Sequence, residues 1–153
     1  MKHFPFLLLL LLSSLHAQEA ATPEKGANEL LATQKEFLNL PEDERKEFAE
    51  KFGEASRFFQ QKRIFECLEA LSEAEKIFPN SAELLNLRGS CYVEMRAFDK
   101  ASAAFGKAID IAPKNTSIRF NIAEVLFVTK QWKEALDIFE KILKAIPQDN
   151  SSL

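Results

Sequence analysis

Two cysteines, Cys67 and Cys91, carry the most reactive side chains in this chain of 153 residues. An even cysteine count in an exported chain permits a disulfide between them, and at packing positions the same thiols would act as small apolar fillers. Both readings stand at this point. The two histidines, His3 and His16, fall within the first seventeen residues. Loss of that segment would leave no imidazole, and with it would go the commonest general base and the most frequent zinc ligand. Glycine occurs only 4 times, and no glycine-rich loop is present to cradle a phosphate. Carboxylates are plentiful, but a run such as Glu42, Asp43 and Glu44 has the pattern of a solvated helix face. The expectation is a chain with no catalytic residues, no metal site and no cofactor. Its chemistry would be that of a binding module, not an enzyme.

The elements that must position these residues are helices. Phenylalanine is used 14 times against the 4 glycines, which favours helices packed on aromatic side chains over a loop-rich or sheet-rich fold. The net charge is −3 with no basic stripe, so nucleic acid is not expected as a partner. Met1 to Ala17 reads MKHFPFLLLLLLSSLHA, a short basic start, an apolar run and then small residues. That is the pattern of a signal peptide cleaved after Ala17, which predicts a secreted or periplasmic protein with no membrane span after cleavage. Its apolar run is about half the roughly 20 residues that a span needs. Cleavage removes one lysine and no acid, which takes the net charge to −4. Residues 18–26 form a polar leader for which disorder is expected.

Prolines recur at a fixed interval, at Pro79, Pro113 and Pro147, and mark a period of 34 residues. Between them the stretch from Ala82 to Asn115 carries Leu85, Gly89 and Tyr92, then Phe98, Ala101, Phe105 and Ala108, and then Pro113. This set resembles the tetratricopeptide repeat, or TPR, family. Phe48 to Ser81 aligns as a more divergent copy through Ala55, Phe58, Cys67, Leu71, Ala74 and Pro79. Thr116 to Asp149 aligns through Ala123, Leu126, Trp132, Ala135, Phe139 and Pro147, with Ile142 in place of the small Ala108. The resemblance implies an all-α fold, an α-solenoid of three helix-turn-helix repeats at 48–81, 82–115 and 116–149. A capping segment at 27–47 would precede them and a tail at 150–153 would follow. Within that segment Leu30, Leu31, Phe37 and Leu38 predict a helix, and Pro41 opens the next one. Gly89 and Ala101 are expected to meet where two helices cross most closely, with Phe105 and Phe139 as core. Arg88, where the family prefers leucine, is expected to run out to the surface. Asn115 is read as the N-cap of the following helix, although Asn115 and Asn150 also begin glycosylation sequons.

The family binds an extended or helical peptide along the first helices of its repeats. Carried over, the resemblance places Phe52, Ser56, Phe59 and Gln60 in that groove from the first repeat. The second repeat would contribute Glu83, Asn86, Ser90, Val93 and Glu94. The third would contribute Ser117, Phe120, Asn121, Glu124, Phe127 and Val128. Chaperone-binding members clamp a terminal carboxylate with lysine, arginine and asparagine. Here Phe52, Ser56, Leu87, Ser117 and Asn121 fill those slots without a cation, so a carboxylate clamp is not expected. The implied function is that of an exported adaptor or scaffold, binding a protein or peptide partner during assembly of an envelope or secretion complex. Two alternatives stand beside it. One is a structural module that self-associates into a homo-oligomer through a last helix whose Leu136, Leu143 and Ile146 lack a cover. The other is a secretion chaperone of the same family.

Overall fold

The computed structural model describes residues 33–145, and all regular secondary structure among them is helical. The leader Met1–Ala17, the segment 18–26, Leu30, Leu31, Ile146, Pro147 and the Asn150 sequon lie outside the described residues. The chain divides into two compact units, Met1–Pro79 and Asn80–Leu153.

The first unit holds a helical stretch over 33–38, then α1 (Glu42–Gln60) and α2 (Ile64–Ile77). Pro41 starts α1 without a side-chain cap, and Glu42, Asp43 and Glu44 occupy the first turn, where the helix dipole favours anions. The Lys46 ammonium lies 2.8 Å from the Glu42 carboxylate and holds that carboxyl below its ordinary pKa. Both groups are exposed, so the pair contributes little to stability. The unit is packed on aromatic rings. Phe37 reaches from the leading stretch to Phe48 and Phe78, with centroids at 5.4 and 5.3 Å, and Phe48 meets Phe78 edge-on at 5.8 Å. Edge-to-face contacts of this kind add to the area the rings bury. Ala55, Cys67, Leu71 and Ala74 fill the space between α1 and α2 and are buried.

The second unit holds two helix pairs, α3 (Ala82–Glu94) with α4 (Phe98–Ile111) and α5 (Thr116–Val128) with α6 (Trp132–Ala145). Two of its helices have polar N-caps. Ser81 Oγ accepts from the Leu84 amide at 3.1 Å, and Asn115 Oδ1 accepts from the Ile118 amide at 3.2 Å. These two caps stand one repeat period apart. The matching position in the first repeat is Glu47, inside α1, and without a cap or proline there α1 runs back to Pro41. That is why it is longer than α3 or α5.

Packing follows the repeat. Ala55, Gly89 and Ala123 are buried at one register position, and Cys67, Ala101 and Ala135 at another. A Cβ placed at Gly89 would lie 2.6 Å from Phe105 Cδ1 and 2.8 Å from Cζ, so the Phe105 ring packs directly against this position. Phe139, expected as core, is only half-buried, whereas Phe105 is buried as expected. Arg88, expected to run out to the surface, is half-buried, with its Nη2 inside. Cys67 and Cys91 are buried at packing positions, one in each unit.

Each helix pair turns through one residue of positive φ: Lys62 at 60°, Arg96 at 56° and Lys130 at 68°. Their spacing is the repeat period. The same two hydrogen bonds recur at each turn. Amides of Lys62, Arg96 and Lys130 donate to the carbonyls of Phe59, Val93 and Phe127, and amides of Arg63, Ala97 and Gln131 donate to those of Phe58, Tyr92 and Leu126. This left-handed C-terminal cap satisfies carbonyls that the helix end would leave orphaned.

Candidate partner-binding face

The anticipated groove residues fall in both units, and each group is described within its own unit. In the first unit Phe52 is half-buried and stacks on Phe48, with rings parallel to within 3° at 6.1 Å. Ser56 Oγ donates back to the Phe52 carbonyl at 2.9 Å, which leaves its hydroxyl committed to its own helix. Phe59 is half-buried under the Lys62 ammonium, 5.8 Å from the ring centroid, and Gln60 is exposed. Of these four, only Gln60 has the exposure of a free contact residue.

In the second unit α3 and α5 lie side by side, and a side-chain hydrogen bond joins them. Asn121 Nδ2 donates to Asn86 Oδ1 at 2.8 Å, with both amides half-buried. Side-chain periodicity explains the rest of the face. Asn86, Ser90 and Val93 follow one another at helical spacing on α3, as do Ser117, Asn121, Glu124 and Val128 on α5. Ser90 and Val93 are half-buried, while Ser117, Glu124 and Val128 are exposed. Ser90 Oγ donates to the Asn86 carbonyl at 3.2 Å. Glu83 and Glu94 are exposed, and Ser81 Oγ donates to Glu83 Oε2 at 3.2 Å. The face therefore presents a central amide pair, whose remaining donors and acceptors can meet a peptide backbone. Acids flank it. Arg119 of α5 is engaged by its own loop, with Nε and Nη2 both donating to the Pro113 carbonyl, at 3.0 and 2.6 Å.

Phe120 and Phe127 stand apart from this amide face. Phe120 meets Phe139 of α6 edge-on at 5.5 Å, so it leans toward the second helix of its own repeat. Phe127 lies two turns along on the same side of α5 and is exposed. The family resemblance put both phenylalanines and Asn121 in one groove. About 100° of helix rotation separates neighbouring residues, which is enough to turn Phe120 away from Asn121. The bond between Asn86 and Asn121 was not anticipated. Its only trace in the sequence is the pairing of amides at nearly one repeat period.

Among the described residues no cluster of three or more histidine, cysteine or acidic side chains could hold a metal, and no helix is long and apolar enough to cross a membrane. A family model described as Tetratricopeptide repeat matches residues 92–152. No curated protein matches the sequence significantly. Solved structures of similar fold include the Arabidopsis OM64 TPR domain, 20% identical, covering 69% of this chain and 87% of that one with a TM-score of 0.62. Another is the TPR2B-domain:pHsp70 complex of yeast Sti1, 21% identical, covering 63% and 78% with a TM-score of 0.60. A third is the first TPR of Spaghetti (RPAP3) bound to the HSP90 peptide SRMEEVD, 17% identical, covering 69% and 83% with a TM-score of 0.62.

Proposed function

Since the chain is a tetratricopeptide-repeat protein, we propose that it is a peptide-binding adaptor which holds a segment of a partner protein against α3 and α5. The observation that carries this reading is the Asn86–Asn121 amide pair, half-buried and joining the first helices of two successive repeats. Amides in such a position can hydrogen-bond an extended backbone, which has both donors and acceptors along its length. Similar folds seen with pHsp70 and with the peptide SRMEEVD support peptide binding as the general role.

The ligand chemistry is read differently here. Glu83, Glu94 and Glu124 flank the face, and the slots Phe52, Ser56, Leu87, Ser117 and Asn121 hold no lysine or arginine. An acidic, carboxylate-terminated peptide would meet repulsion, whereas a neutral or basic segment would be steered toward the acids. The reading as a binding module and not an enzyme rests on the family and on a sequence without histidine after His16. The signal-like leader supports export, and with it a role in assembling or retaining an envelope or secretion complex.

The test is direct binding by fluorescence anisotropy. Fluorescein-labelled SRMEEVD should not bind at concentrations where lysine-containing peptides selected from a random array do. For those selected peptides Asn86→Ala with Asn121→Ala should weaken binding by about tenfold, the equivalent of one lost polar contact set. Tight binding of SRMEEVD, or no effect of the double substitution, would overturn the proposal.

A further inference from the structure

The α6 helix carries two apolar stripes, and among the described residues only one is buried. Ala135 and Ile142 face inward and are buried. Trp132, Leu136, Phe139 and Leu143 repeat at helical spacing on another side. Trp132 is 61% exposed, Leu136 58% and Leu143 62%. The edge-on contact of Phe139 with Phe120 extends this face onto α5, where Phe120 is 45% and Phe127 60% exposed. One repeat earlier the equivalent of Phe139 is Phe105, which is only 1% exposed. The position is built to be covered.

We propose that this end face is a homotypic interface, which closes two copies of the chain into a twofold dimer. Three observations favour a second copy over any other occupant. The stripe Trp132, Leu136, Phe139, Leu143 is symmetric about its own centre. An antiparallel copy of α6 therefore brings Trp132 against Leu143 and Leu136 against Phe139, as an isologous contact requires. The face is also large enough. Five exposed apolar side chains at about 100 Å² each give on the order of 500 Å² per copy, a sizeable share of the roughly 800 Å² that each partner contributes to a standard interface. Finally, its charges select neither a basic nor an acidic partner. Lys133, Lys141 and Lys144 balance Glu134, Asp137 and Glu140 along α6, and Lys141 pairs with Asp137 at 2.6 Å within one helix. Two copies meet without net repulsion.

Trp132 is the single tryptophan of the chain, so the interface carries its own reporter. The experiment is sedimentation equilibrium of the chain from Gln18 onward between about 1 and 500 μM, with tryptophan emission recorded on the same samples. The expected result is a monomer–dimer equilibrium with emission moving to the blue as dimer forms, because the indole leaves water. Leu136→Lys with Leu143→Lys should weaken dimerisation by at least about a hundredfold, with helical circular dichroism unchanged since both side chains are already exposed. Should that variant misfold, Trp132→Glu with Leu136→Lys is read in the same way by sedimentation. A wild-type chain that stays monomeric throughout, a dimer indifferent to these substitutions, or assembly beyond two copies would overturn the proposal. None of the substituted residues lies on the Asn86–Asn121 face, so either reading can fail while the other stands.

Discussion

Gly89 and Gly106 are both helical glycines of the second unit, yet substitution should move stability in opposite directions. Replacing a helical glycine with alanine normally gains about 0.5–1 kcal/mol through propensity. At Gly106 nothing lies within 4 Å of an added methyl, so Gly106→Ala should gain about that much. At Gly89 the methyl would enter the Phe105 ring, which is buried and has little room to move. Gly89→Ala should therefore lose roughly 1–3 kcal/mol, the usual cost of overpacking a filled core. Urea midpoints of the two variants decide it, and shifts of the same sign would show that the Phe105 contact does not govern Gly89. The sequence made the small-and-large pattern legible, but not that the Phe105 ring lies against Gly89. Spacing identifies which residues lie near a crossing, whereas the rotamer of a ring decides which one fills it. Phe105 and Phe139 show the same limit, since these identical register positions differ in burial among the described residues.

At the scale of the element, helix starts were easier to read than helix ends. Asn115 and Pro41 could be identified from the sequence because a cap and a fixed φ are properties of the residue type. The three turns with positive φ could not. Glycine and asparagine signal that conformation, and here Lys62, Arg96 and Lys130 adopt it instead. A side chain with a Cβ pays roughly 1 kcal/mol or more for the left-handed region. Arg96→Gly should therefore raise stability by about 0.5–1 kcal/mol, measured in urea. A fall would mean that the arginine side chain contributes more to the turn than its backbone geometry costs. Such a result would move the sequence signal from the backbone to the basic side chain.

For the molecule as a whole, the repeat was legible because it is a recurrence, and each copy tests the others. Prolines, small residues and aromatic residues at one period specify two helices per repeat, whatever any single position holds. The binding face was less legible because it depends on helix rotation, and one residue's error exchanges face for core. Thus Asn86 and Asn121 are joined by a hydrogen bond, while Phe52 joins the aromatic cluster of the first unit and Phe120 turns toward α6. The export proposed for this chain has a simple readout. Intact mass spectrometry of the exported protein should find Met1–Ala17 removed, and their retention would overturn the signal-peptide reading.

The left-handed turns also bear on how the chain would be cut. Trypsin cleaves after lysine and arginine, and each turn places one such residue at the break between two helices. Lys62, Arg96 and Lys130 are all exposed there. Brief digestion of the native protein should therefore yield fragments that end at the boundaries between paired helices. Proteolysis under native conditions reports local opening. The order in which the fragments appear would rank the three helix pairs by how readily each comes apart.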